Sequence, residues 1–150
     1  MRRWIMVLFM VLVGCRGGQT AAAAAGETSG EEGNRGKYYE AAAVPNEVGL
    51  NEKVSVVVSF TAGSGYHWND EYPARFEVSG GEGVGIEKRE FSVKTKDVEV
   101  SKDAARITIP VVVKESGAQD LLVKGSFSVC NETSCKIMRN EEIHLPLTGR

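Results

Sequence analysis

The chain has 150 residues, of which 42% are hydrophobic and 25% charged, and its 18 basic and 20 acidic side chains leave a net charge of −2. That length provides for one domain with a single apolar core. A slightly acidic chain without a basic patch speaks against nucleic acid as a partner, and with only three cysteines the position of each one matters.

Met1-Arg2-Arg3 is followed by an apolar run from Trp4 to Val13 that ends in Gly14-Cys15. A basic start, a short apolar stretch and a small residue before a cut site predict a secretory signal peptide over residues 1–14. The run is too short for a bilayer span, which takes about 20 residues. Leu12-Val13-Gly14-Cys15 resembles the bacterial lipobox, which implies cleavage before Cys15, lipidation of Cys15 and a lipid anchor in a membrane. The residue after it is Arg16 rather than aspartate, which by the same resemblance points to the outer membrane and the periplasmic face of the envelope. Loss of Arg2 and Arg3 takes the net charge from −2 to −4. Disulfides persist in that compartment, and with Cys15 given to the lipid, Cys130 and Cys135 remain as a pair.

Residues 15–43 shift to Gly, Ala, Glu, Ser and Thr with almost no large apolar side chain. Such a segment buries too little surface to order itself and reads as a tether, with Tyr38-Tyr39 as the point where it docks on the domain.

Residues 44–149 form the expected domain. Val54, Val56, Val58 and Phe60 alternate with Ser55, Val57 and Ser59; Ile107, Ile109, Val111 and Val113 form a second series, and Leu121, Val123, Phe127 and Val129 a third. Phe76 and Val78, Val98 and Val100, and Ile143, Leu145 and Leu147 add shorter ones. A period of two marks half-buried strands, and no stretch carries a helical stripe. About seven to eight strands separated by Gly-, Ser- and Asp-containing turns predict an all-β, immunoglobulin-like sandwich. Pro110 and Pro146 suit edges, because proline cannot donate to a central ladder.

The stretch from Gly125 to Ile137 reads as a hairpin with Cys130 and Cys135 at the feet of its turn. If the four polar residues between them form the loop, the two cysteines are the first cross-strand pair, about 4.5–5.5 Å apart at Cα. A disulfide is then sterically allowed. Two roles remain open. A structural staple on so short a loop is worth on the order of 2–3 kcal/mol, whereas a bond at an exposed turn is accessible to attacking thiols. The register poses a conflict: pairing Cys130 with Cys135 puts Val123 and Phe127 out of phase with Ile143, Leu145 and Leu147. One extra residue, a β-bulge near Arg139-Asn140-Glu141, resolves it, or the turn is not the simple four-residue one.

Gly65-Tyr66-His67-Trp68-Asn69-Asp70-Glu71-Tyr72-Pro73-Ala74-Arg75-Phe76, followed by Phe127-Ser128-Val129-Cys130 and Cys135, resembles the N-terminal periplasmic domain of the thiol:disulfide interchange protein DsbD. The resemblance implies an immunoglobulin-like fold and Cys130 and Cys135 as a redox pair. In that pair Cys135 attacks a partner's disulfide and Cys130 resolves the mixed disulfide. It implies thioredoxin-like periplasmic partners or a membrane electron donor, and no cofactor or metal. Tyr66, His67 and Trp68 match the family's aromatic segment near the cysteines, and Phe91 is a candidate for a cap over the thiols. Lys136 would favour a Cys135 thiolate and Glu132 oppose it. His67 would supply a proton or a cation to the pair, or pack between Tyr66 and Trp68. His144 is expected to face solvent. A zinc set of Cys130, Cys135, His67 and His144 matches no common spacing, and the Asn131-Glu132-Thr133 sequon reads as chance. The competing reading is a non-catalytic cell-envelope binding or scaffold domain in which the disulfide is structural.

Overall fold

The structure, a computed structural model, describes residues 35–150. The expected signal peptide 1–14, the lipidation site Cys15 and the tether up to residue 34 lie outside the described residues. The chain folds as an all-β, immunoglobulin-like sandwich of β1 (Tyr39–Val44), β2 (Glu47–Val48), β3 (Lys53–Ala62), β4 (His67–Trp68), β5 (Arg75–Gly80), β6 (Val84–Ile86), β7 (Glu90–Ser92), β8 (Val98–Val100), β9 (Ala104–Val113), β10 (Gly117–Cys130) and β11 (Cys135–Gly149). One sheet runs β1-β3-β9-β6 with β8 also on β9; the other runs β2-β11-β10-β5-β7 with β4 also on β10. No helix among the described residues is long and apolar enough to cross a membrane.

The alternating series become the central strands. Val56, Val58 and Phe60 of β3, Ile107, Ile109, Val111 and Val113 of β9, and Leu121, Val123, Phe127 and Val129 of β10 are all buried, as a period of two requires when one face meets a core. The described residues hold eleven strands rather than seven to eight, because β2, β4, β6 and β7 have two or three residues each, too few to show a period. β1 is different. It pairs with β3 from Tyr39↔Ala62 to Val44↔Val57, and Tyr39 is fully buried. The folded unit therefore starts upstream of the expected boundary at Val44. Its Glu40-Ala41-Ala42-Ala43 run conceals the alternation, since alanine supplies little apolar contrast, but Tyr39 and Ala41 face inward.

Both prolines sit where no ladder donor is missed. Pro110 lies between the stretches of β9 that pair with β8 (Ala105–Ile107) and β6 (Val111–Val113). Pro146 lies on β11 beyond the reach of β2, which pairs only with Thr148 and Gly149. The expected bulge is present. Cys130↔Cys135 through Phe127↔Met138 keep one register, and Gly125↔Glu141 through Gly117↔Gly149 keep another, with the shift between Gly125 and Phe127. Opposite Ser126 stand Arg139 and Asn140; Asn140 takes φ 52°, and its N–H donates to Ser126 Oγ at 3.1 Å. The extra residue restores Val123 and Ile143 to the same core face as Phe127.

Rings close the core beneath the hairpin tip. Phe127 contacts Tyr39 edge-on and stacks on Trp68, both with centroids at 5.0 Å, while Phe60 stacks on Phe76 at 4.4 Å.

Candidate functional site: the disulfide at the hairpin tip

The turn of the β10–β11 hairpin is built by one side chain. Asn131 N–H donates to the Ser134 carbonyl at 2.9 Å, while Asn131 Oδ1 accepts from the N–H groups of Thr133 (3.0 Å) and Ser134 (2.8 Å). This is the asparagine side chain taking the place of backbone in a tight turn. It leaves Cys130 and Cys135 as the next cross-strand pair, of the type without mutual backbone hydrogen bonds, in which Cα atoms approach most closely. They are joined by a disulfide, with Cα atoms 3.9 Å apart, closer than the spacing expected from sequence.

The two sulfurs occupy different surroundings. Cys130 belongs to a strand flanked on both sides, by β11 through Cys135 and by β4 through His67, and is 8% exposed. Cys135 lies on β11, which among the described residues has no neighbouring strand on its other side at this end, and is exposed. An incoming thiolate thus meets Cys135 first, and Cys130 is the sulfur left behind.

Register decides which of the expected neighbours share the site, because paired residues in a sheet project to the same face and successive residues to opposite faces. His67↔Cys130↔Cys135 form one row across three strands. His67 is therefore on the disulfide's face, and it is exposed rather than packed between its aromatic neighbours. Trp68 pairs with Val129 in the next row and is buried against Phe127, so it supports the hairpin from behind and does not touch the sulfur face. Tyr66 is half-buried, with its ring edge-on to Tyr38 at 5.3 Å.

Two expectations are corrected. Lys136 opposes Val129, and its ammonium lies 5.9 Å from the Tyr38 ring centroid. Alternation turns it away from the face that carries the sulfurs, so it is not placed beside a Cys135 thiolate. Phe91 is no cap. It pairs with Phe76, which in turn opposes Gly125, and it is buried in the core well up β10 from the cysteines. His144 is exposed as expected and is engaged at Nδ1 by Asp120 Oδ2 at 2.6 Å, opposite Leu122. It is not part of the cysteine row.

Sequence reasoning passed over Ile137. It pairs with Ser128, two rows below the disulfide and so on the same face, and is 47% exposed. The signal was already in the cross-strand sum that pairs Cys130 with Cys135, which puts every odd residue of this end of β11 on the cysteine face. Further along that face, a cleft of about 660 Å³ is lined by Arg75, Lys88, Asp97, Lys124 and Ser126 among others. Its charges are largely paired with one another, Lys88 with Asp97 at 2.5 Å and Lys124 with Glu142 at 2.9 Å.

No family model matches the chain, and no curated protein matches it. Among solved structures it is similar to that of WR4, a C. elegans MSP family member, with 9% identity and a TM-score of 0.40 over 76% of this chain and 99% of that one. At that level the likeness carries no weight; the sandwich is defined by its own strand pairing.

Proposed function

We propose that the chain is a lipid-anchored module of thiol–disulfide exchange on the periplasmic face of the envelope, passing electrons through Cys130 and Cys135 to or from thioredoxin-like partners. This is the role of the DsbD N-terminal domain that the sequence resembles. The observation that carries the reading is the asymmetry of the bond: an exposed Cys135 on an edge strand, joined to a buried Cys130 at a solvent-facing tip. In the reduced protein, the Cys135 thiolate attacks a partner disulfide and expels one partner sulfur. The Cys130 thiolate then attacks Cys135 Sγ, closing the intramolecular bond and releasing the partner as a dithiol, so that two electrons have moved. The reverse sequence loads the module from a donor. Exposed Ile137 beside Cys135 offers an apolar contact for a docking partner.

Redox titration of the full chain, followed by thiol alkylation, tests the reading. An exchanging bond has a reduction potential above about −300 mV, and Cys130→Ser, which leaves Cys135 unable to close the internal bond, accumulates a mixed disulfide with a periplasmic protein. A bond that resists reduction until the domain unfolds, together with a Cys130→Ser chain that captures nothing, returns the domain to the scaffold class.

A further inference from the structure

The row His67↔Cys130↔Cys135 has a second chemical reading once the disulfide is open. Thiolate and imidazole are the ligands that zinc prefers, and here three of them stand on adjacent strands and on one face, with His67 and Cys135 exposed to an incoming ion. In the oxidised protein no group of three His, Cys, Asp or Glu side chains among the described residues is placed to hold a metal ion, and the two sulfurs are joined to each other at 2.03 Å. We propose that reduction converts this tip into a zinc site, with Cys130 and Cys135 as thiolate ligands, His67 as the imidazole ligand and water in the remaining position.

The geometry favours this over a looser thiol pair. Two sulfurs bound to one tetrahedral zinc at about 2.3 Å stand roughly 3.8 Å apart. With Cα atoms 3.9 Å apart, side-chain torsions alone supply that separation and the strands need not move. His67 is in register with Cys130, and the Asn69 N–H donates to the Ser128 carbonyl at 3.0 Å, so β4 is held onto β10 at the next hydrogen-bonded pair. His67 and Cys130 then form a hydrogen-bonded pair of their own, with Cα atoms about 5.5 Å apart, within bridging distance of an imidazole and a thiolate that share an ion. His144 is excluded, because it lies opposite Leu122 and is engaged by Asp120. The chemistry balances simply. A reductant delivers two electrons and two protons to the disulfide, and zinc then displaces both thiol protons to solvent. The site needs only that the bond be opened, so it stands or falls separately from any exchange with a partner. A zinc-bound pair would be withdrawn from exchange for as long as the ion stays.

The test uses the full chain carrying Cys15→Ser, reduced without oxygen by a phosphine so that no other thiol competes, with circular dichroism to verify the fold. Cobalt added as a stand-in should produce a thiolate-to-cobalt charge-transfer band that saturates at one equivalent and is bleached by one equivalent of zinc, while zinc slows alkylation of both thiols. Losing an outer-shell partner of a metal ligand already costs about 10–100-fold in affinity, so His67→Ala should weaken zinc binding by at least that much. His144→Ala should leave it unchanged. A folded, reduced chain without the band overturns the site, as does a His67→Ala chain that binds like the parent. A chain that unfolds on reduction overturns it too, because ligands from three strands then share no frame.

Discussion

The β10–β11 hairpin has two regions on either side of its bulge, and they divide burial differently. From Leu121 to Gly125 and from Glu141 to Leu147 the split is by face: Leu121, Val123, Ile143, Leu145 and Leu147 are buried, while Lys124, Glu142 and His144 face outward. Beyond the bulge the split is mainly by strand. Ser126 to Cys130 are buried without a break, whereas on β11 Met138, opposite Phe127, is buried and Cys135, Lys136 and Ile137, opposite Cys130, Val129 and Ser128, are exposed. The cause is topology. At the tip β10 has β4 on one side and β11 on the other, while β11 is an edge. A disulfide placed across the last row of those strands, at Cys130 and Cys135, joins a protected sulfur to an accessible one.

The largest way to break this contrast is to remove what buries the β10 side. Phe127 is fully buried among Tyr39, Phe60, Trp68 and Phe76. Truncating such a ring leaves a cavity that surrounding strands cannot fill, so Phe127→Ala should lose about 3–5 kcal/mol in denaturant unfolding. It should also speed alkylation of reduced Cys130 towards that of Cys135, since the support behind the tip is gone. A loss under 1 kcal/mol would mean the tip does not depend on this cluster.

The next effect concerns the bond itself. Because it closes a loop with a sequence separation of 5 on a hairpin already paired along its length, Cys130→Ala with Cys135→Ala should cost about 2 kcal/mol, through the unfolded state. The double variant should unfold at lower denaturant with its β-sheet signal intact. Failure to fold would mark the bond as a staple and remove the main support for exchange.

What was legible in the sequence followed from the same alternation. The central strands, the sandwich class and the Cys130–Cys135 pair needed only a period of two and a four-residue turn. The conflict between Phe127 and Leu145 even placed the bulge, because an out-of-phase pair of buried series has few other solutions. The short strands were not legible, since two residues such as His67-Trp68 have no period. Nor was β1, where alanines hide the alternation. Side-chain roles near the cysteines failed for a different reason. Lys136, the neighbour of Cys135 in sequence, was read as a neighbour of the sulfur, yet in a strand the adjacent residue points away; it is the cross-strand partner His67, one of the residues of the aromatic segment, that shares the face.

The bulge that separates the two regions can be sharpened or blunted at Asn140. Its φ of 52° is a left-handed conformation that asparagine tolerates and β-branched residues do not. Asn140→Val should therefore cost roughly 1–2 kcal/mol, and Asn140→Gly should be neutral or slightly stabilising. The backbone N–H that donates to Ser126 Oγ remains in both. Equal stability of the Val and Gly variants would show that the bulge relaxes to another register, and the cysteine pairing should then shift with it.

The smallest effect belongs to the lower region's outward face. The Lys124 ammonium, hydrogen-bonded to Glu142, holds the Glu142 carboxyl below its ordinary value, and Glu142 in turn raises Lys124. An acid with a depressed value stabilises the fold above its unfolded value and loses that contribution as pH falls through the folded one. A base with a raised value stabilises below its unfolded value and loses the contribution as pH rises through the folded one. The pair is thus at full strength between the ordinary carboxyl and ordinary lysine values and fades on either side. Both groups are exposed, so the contribution is small and screened by salt. Glu142→Gln should lower stability slightly near neutral pH and converge with the parent in acid, where Glu142 is protonated in both states. A gap that persists in acid would assign the loss to packing rather than charge. The same substitution should leave the alkylation rates of Cys130 and Cys135 untouched, because the bulge and the rows of Ser126 and Ser128 stand between this pair and the tip.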